Sequence, residues 1–205
     1  MKRFTMWTVL AAVALVIVVS SAGCTSNVVN NASPSPSPSP SLNAAPQPAQ
    51  DPNFVPKNNL GYLTYSNRSS DFTIQYPPSW QKEEGLKIVT FRFGTPYRAF
   101  MQLSESYRGT GLTLDDYSQN QLSSIKQSLA DFKLLDSSNI TLAGYPAKQY
   151  VFTYVSELGA PSQGIDELTL VDGIGYEVSY GAIQEAYPTT LESAQNMMQS
   201  FNIVS

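Results

Sequence analysis

The sequence predicts an α+β domain, a twisted antiparallel sheet with helices packed on it. Three observations carry that prediction. Short β-type segments recur between residues 61 and 181, only two stretches carry a helical apolar period, and the β-segments are joined by hairpin-type turns. Gly61–Ser66 reads as a first short strand. Phe72–Tyr76 alternates as FTIQY and is stopped by Pro77-Pro78. Leu86–Phe93 and Ala99–Ser104 read as strands joined through Gly94-Thr95-Pro96. Thr113 is a good N-cap, and Asp115 and Asp116 then face the positive end of the helix dipole. Leu114, Tyr117, Leu122, Ile125 and Leu129 share one face, which predicts a helix over 114–130. Phe132–Asp136 and Ile140–Ala143 read as short strands, and Gln149–Val155 as a strongly β segment with aromatics at 150, 152 and 154. Ile165–Val171 and Ile174–Gly181 form a hairpin through Asp172-Gly173, a type I′ turn signal. Tyr187, Leu191, Ala194, Met198 and Phe201 recur at helical spacing, predicting a second helix near 188–200 that Pro188 opens.

The 205 residues divide into three parts. Residues 1–23 read as a signal peptide: Lys2 and Arg3 precede an apolar stretch from Phe4 to Val19. Ser20-Ser21-Ala22-Gly23 then lead to Cys24, the single cysteine, in the manner of a lipobox, although Ser21 stands where an aliphatic residue is usual. Two readings follow: cleavage and lipidation at Cys24, or an uncleaved anchor helix. Both tether the chain to the outer side of the cytoplasmic membrane. Residues 24–58 hold 8 of the 14 prolines and two charges, with a Ser-Pro repeat over 33–40. So little apolar content predicts a solvated, partly polyproline-II tether. Residues 59–205 hold all 12 tyrosines and seven of the nine phenylalanines, enough to bury a core without metal or disulfide staples.

Composition excludes several chemistries. There is no histidine and one cysteine, which removes Ser-His-Asp and Cys-His catalysis, histidine metal sites and intramolecular disulfides. The net charge of −4 lacks the basic footprint of a nucleic-acid binder. No Gly-x-Ser-x-Gly elbow and no phosphate-cradling loop occur.

Four segments together resemble one known family. They are Asp71-Phe72-Thr73-Ile74-Gln75-Tyr76-Pro77-Pro78-Ser79-Trp80, Thr113-Leu114-Asp115-Asp116-Tyr117, Leu142-Ala143-Gly144-Tyr145-Pro146-Ala147 and Ser200-Phe201. Over about 61–203 the chain is similar to the PsbP-like family, which includes prokaryotic PsbP-related lipoproteins and shares its architecture with DcrB-type lipoproteins. The resemblance implies a helix–sheet–helix sandwich and a non-enzymatic duty, binding or stabilising a membrane complex. The anchor and the Ser-Pro stalk resemble a prokaryotic, archaeal-type surface lipoprotein.

Each remaining candidate residue also has a plain structural role open to it. The prolines before Trp80 rigidify a turn, which favours Trp80 as a cap on the core over a recognition loop. Asp115-Asp116 suit the helix dipole better than a hard cation, which wants several oxygen ligands. Asp166 and Glu167 are adjacent on a strand and point to opposite faces, so they make a poor carboxylate pair. Tyr150 and Tyr154 share one face of their strand, as do Tyr176 and Tyr180. They form either an aromatic platform or sheet packing beneath the helices. Asn31, Asn67 and Asn139 begin Asn-x-Ser/Thr triplets and are glycosylation candidates wherever they are exposed.

The expected function is that of a membrane-tethered, extracytoplasmic lipoprotein. Its domain binds a protein or envelope partner, with no catalytic residues, metal, cofactor or nucleic acid. The alternatives are a ligand- or ion-binding lipoprotein serving a transporter and, with least support, a cell-surface hydrolase.

Overall fold

The computed structural model describes residues 61–66 and 71–204. The expected leader and tether, Cys24, Asn31 and Asn67 lie outside the described residues. Ten strands and two helices follow in order: β1 (Leu63–Ser66), β2 (Phe72–Tyr76), β3 (Gln81–Gly85), β4 (Ile88–Phe93), β5 (Ala99–Tyr107), α1 (Leu114–Ser128), β6 (Ala130–Leu142), β7 (Tyr145–Val155), β8 (Pro161–Val171), β9 (Ile174–Ile183), α2 (Tyr187–Ser200) and β10 (Asn202–Ile203). Seven strands make one antiparallel sheet in the order β3-β4-β5-β9-β8-β7-β6. A small second sheet runs β1-β2-β10.

Strand alternation divides the core between the two faces of the large sheet. On one side lie α2 and the small sheet. Phe72 and Ile74 from β2 and Met197 and Phe201 from the α2 end pack there with Val89, Phe91, Met101, Leu103 and Val178. On the other side α1 lies over β6, β7 and β8, and Tyr117 packs with Tyr150, Phe152, Tyr154 and Leu168. The domain is therefore the expected α+β helix–sheet–helix sandwich.

Local signals act as read. Thr113 caps α1, its Oγ1 accepting the Asp116 N–H at 3.1 Å. Asp172 and Gly173 adopt φ of 50° and 78°, the left-handed pair that a type I′ turn demands. Trp80 is 3% exposed, its ring 5.8 Å from that of Phe93.

Three differences have physical causes. β3 (QKEEG) is exposed along its whole length and carries no apolar period, so only its pairing with β4 makes it a strand. The expected strands at 132–136 and 140–143 are one 13-residue edge strand, β6, interrupted by register shifts between Ala130 and Lys133 and between Leu134 and Asp136. Such bulges flip the inward face and erase the alternation. β10 is a two-residue strand that pairs with β2 just after α2, too short to read as a period.

The two edges of the large sheet differ in character. The β3 edge carries Lys82, Glu83 and Glu84. The β6 edge carries its charges (Asp131, Lys133, Asp136) and both bulges in its first half. Ser137–Leu142 is regular and uncharged.

On the α1 side, aromatic rings rest on bare backbone. A Cβ at Gly175 would sit 2.6 Å from the Tyr117 ring, and one at Gly181 would sit 2.5 Å from the Phe100 ring. Real Cβ contacts do not approach this closely, so glycine is what admits the rings there.

Candidate functional site

The antiparallel register assembles a polar cluster on the α1 side of β5, β9 and β8. Asp166 stands directly opposite Ser179, and Leu168 opposite Glu177. Asp166 and Glu177 are thus diagonal neighbours on one face. Ser104 of β5 is opposite Glu177 from the other side, and Gln102 is opposite Ser179. Asp166 is 3% exposed, and Glu177 is half-buried.

The helix closes the cluster. Gln121 Nε2 of α1 donates to Glu177 Oε2 at 2.9 Å. Arg108, in the loop between β5 and α1, holds its guanidinium 5.2 Å from the Tyr117 ring centre, and its charge favours the ionised form of Glu177. Ser179 Oγ donates to Glu177 Oε1 at 3.3 Å and is also hydrogen-bonded to Asp166. A hydroxyl has one proton to give. If Ser179 donates to Glu177, then Asp166 must donate to Ser179, and it does so only as the neutral acid. The chain Asp166–Ser179–Glu177 is complete with one proton on Asp166.

Electrostatics agree with that assignment. Burial, then the charge of Glu177, push the Asp166 carboxyl up to about 8, a rise that its hydrogen bond to Ser179 opposes and the charge of Glu167 adds to. Burial also raises Glu177, opposed by its hydrogen bonds to Gln121 and Ser179, the charge of Arg108 and a bond to Ser104. The Tyr117 phenol is raised chiefly by burial and further by Glu177.

Beyond the cluster, the α1 side of β3, β4 and β5 has no helix packed broadly over it among the described residues. Arg92, Phe100 and Ser106 line this open half of the face, with Gln102 and Ser104 at its border with the cluster, each half-buried. Among the described residues no group of three or more Asp, Glu, Cys or His side chains could hold a metal ion. No described helix is long and apolar enough to cross a membrane.

The same architecture occurs in solved structures. The cyanobacterial PsbP of Synechocystis sp. PCC 6803 superposes with a TM-score of 0.55 at 14% identity, over 70% of this chain and 92% of that one. The domain has the PsbP-like fold. A protein of unknown function from Pseudomonas aeruginosa matches with a TM-score of 0.50 at 18% identity, over 68% of this chain and 94% of that one. The Ran-binding protein Mog1p of Saccharomyces cerevisiae matches with a TM-score of 0.51 at 9% identity, over 70% and 96%. At these identities the likeness concerns the fold alone. No protein-family model and no curated protein matches the sequence.

The PsbP-like domain places the sequence candidates as follows. Asp115 pairs with Lys148, Oδ1 to Nζ at 2.9 Å, and Asp116 Oδ2 accepts from Thr113 Oγ1 at 2.6 Å. Glu167 faces the α2 side, where Gln149 Nε2 donates to its Oε1 at 2.8 Å, so it is turned away from Asp166. Tyr150 and Tyr154 lie under α1, whereas Tyr176 and Tyr180 belong to the α2-side core. The four do not form one platform. Asn139 is exposed on β6, with Thr141 also exposed two residues on.

The Asp166–Glu177 pair escapes a reading of the sequence that sets Asp166 only against its chain neighbour. The signal is present in the Asp172-Gly173 turn. A two-residue hairpin fixes the register, and that register puts residues 166 and 177 on one face.

Proposed function

We propose that the chain is a membrane-tethered lipoprotein on the extracytoplasmic face, anchored at Cys24, whose domain over 59–205 is a non-enzymatic module for a protein or envelope partner. The observation that supports this most is the open half of the α1-side face. Its half-buried polar side chains on β4 and β5 offer hydrogen-bonding groups on a rigid sheet. Mog1p, a Ran-binding protein, gives a precedent for protein recognition on this fold.

Two measurements test the reading. Intact mass of the native protein is expected to give a mature chain starting at a lipid-modified Cys24; a chain that keeps Met1 to Gly23 would overturn the lipid anchor. For the binding face, a photo-crosslinker is placed at Gln102 or at Ser124, which is exposed on α1. A discrete adduct is expected from Gln102 in native membranes and none from Ser124. Equal adducts from both positions, or none from Gln102, would remove this face as the binding site.

A further inference from the structure

The two helices are seated very differently. α2 buries Tyr187, Thr190, Ala194, Asn196, Met197 and Met198, whereas α1 fully buries Tyr117 and Ser118 and only half-buries its apolar Leu114, Leu122 and Ile125 against the sheet. Where α1 meets β9, its attachments are the Tyr117 ring on Gly175 and the Gln121–Glu177 hydrogen bond. The Asp115–Lys148 pair adds a tie at its first turn. One of the contacts that hold α1 therefore ends on a carboxylate whose hydrogen bonds need a proton two atoms further along.

We propose that the Asp166–Glu177 pair is a proton-operated latch. One proton relayed through Ser179 keeps α1 on the sheet, and loss of that proton releases α1 and uncovers the rings of Tyr150, Phe152 and Tyr154. With both carboxylates ionised, Ser179 can satisfy one of them only, and two like charges face each other beneath the helix. The neighbours offer little to neutralise them. Gln121 and Tyr117 face the pair from α1, Ser104 from β5, and Tyr150 and Tyr154 from β7. Arg108 approaches from the loop before α1, and Glu167 adds a third negative charge from the far side of β8. Arg108 is thus the one cation acting on Glu177 among these groups. Lys148, further along the same face, is engaged by Asp115. Water reaches both carboxylates if α1 lifts, so release is the relaxation that the geometry permits.

Hydrogen exchange on the full-length protein in detergent tests this, with rates corrected for the intrinsic effect of pH. Between about pH 6 and about pH 9.5, amides of 114–128 are expected to lose protection by at least about tenfold more than amides of α2. In Asp166→Asn, whose amide can still donate to Ser179, α1 is expected to stay protected at both pH values. Glu177→Gln serves the same purpose should the first variant not fold. Protection of α1 that ignores pH would overturn the latch. So would a loss shared equally by α1 and α2, or one that persists in the variants.

Discussion

Replacing Trp80 by alanine is expected to destabilise the domain by about 3–5 kcal/mol, the range for deleting a large buried aromatic side chain. The ring is 3% exposed and lies against Phe93, while the Trp80 backbone N–H donates to the Pro77 carbonyl at 3.0 Å. That bond closes the turn between β2 and β3, so a rigid hinge drives the side chain inward. Urea unfolding of the variant measures the loss. A change under about 0.5 kcal/mol, the usual size at an ordinary surface position, would contradict the burial and return the Pro77–Trp80 turn to the candidates for recognition.

Stability is expected to fall as pH rises from about 4 to about 8, against the usual trend for carboxylates that gain a cationic partner. Asp166 has a folded pKa of about 8 and an ordinary value of 3.8. Between these the folded chain holds a proton that the unfolded chain has released, so raising the pH favours unfolding. Below this window both states are protonated and nothing is lost. Each tenfold difference in proton affinity between the two states is worth about 1.4 kcal/mol, so the total is on the order of a few kcal/mol. Glu177, also raised by burial, adds to the slope with the same sign. Asp166→Asn is expected to flatten the profile and to be the more stable protein near neutrality. Urea midpoints at several pH values decide it: a profile that is flat in the parent chain, or equally steep in the variant, would show that Asp166 is not the group responsible.

Much of the architecture was legible because it rests on local rules. The Asp172-Gly173 turn, the Thr113 cap and the apolar faces of α1 and α2 are each decided within a few residues. What was not legible depends on partners distant in the chain. The QKEEG segment is a strand because β4 lies beside it, and β6 is continuous because its bulges absorb the changes of face that its sequence shows as gaps. The candidate cluster has the same origin. Glu177 looks like an ordinary strand carboxylate until the hairpin register sets it diagonal to Asp166 and α1 brings Gln121 over it. The tyrosines illustrate the opposite error. Even spacing assigns each pair to one side of its own strand, but the side relative to the helices follows from the whole sheet.

The unequal borders of the large sheet limit how copies of this domain can join. Along β3 the exposed Lys82, Glu83 and Glu84 oppose a neighbouring strand, while Ser137–Leu142 of β6 has neither charge nor bulge to turn one away. A block with two receptive borders would string into a fibre, because each addition leaves a fresh border at the far end. A block with one receptive border has used it after a single addition. Growth through the large sheet, were it to begin, would therefore terminate at two copies. A sugar on Asn139, in the middle of the receptive stretch, would reduce that number to one.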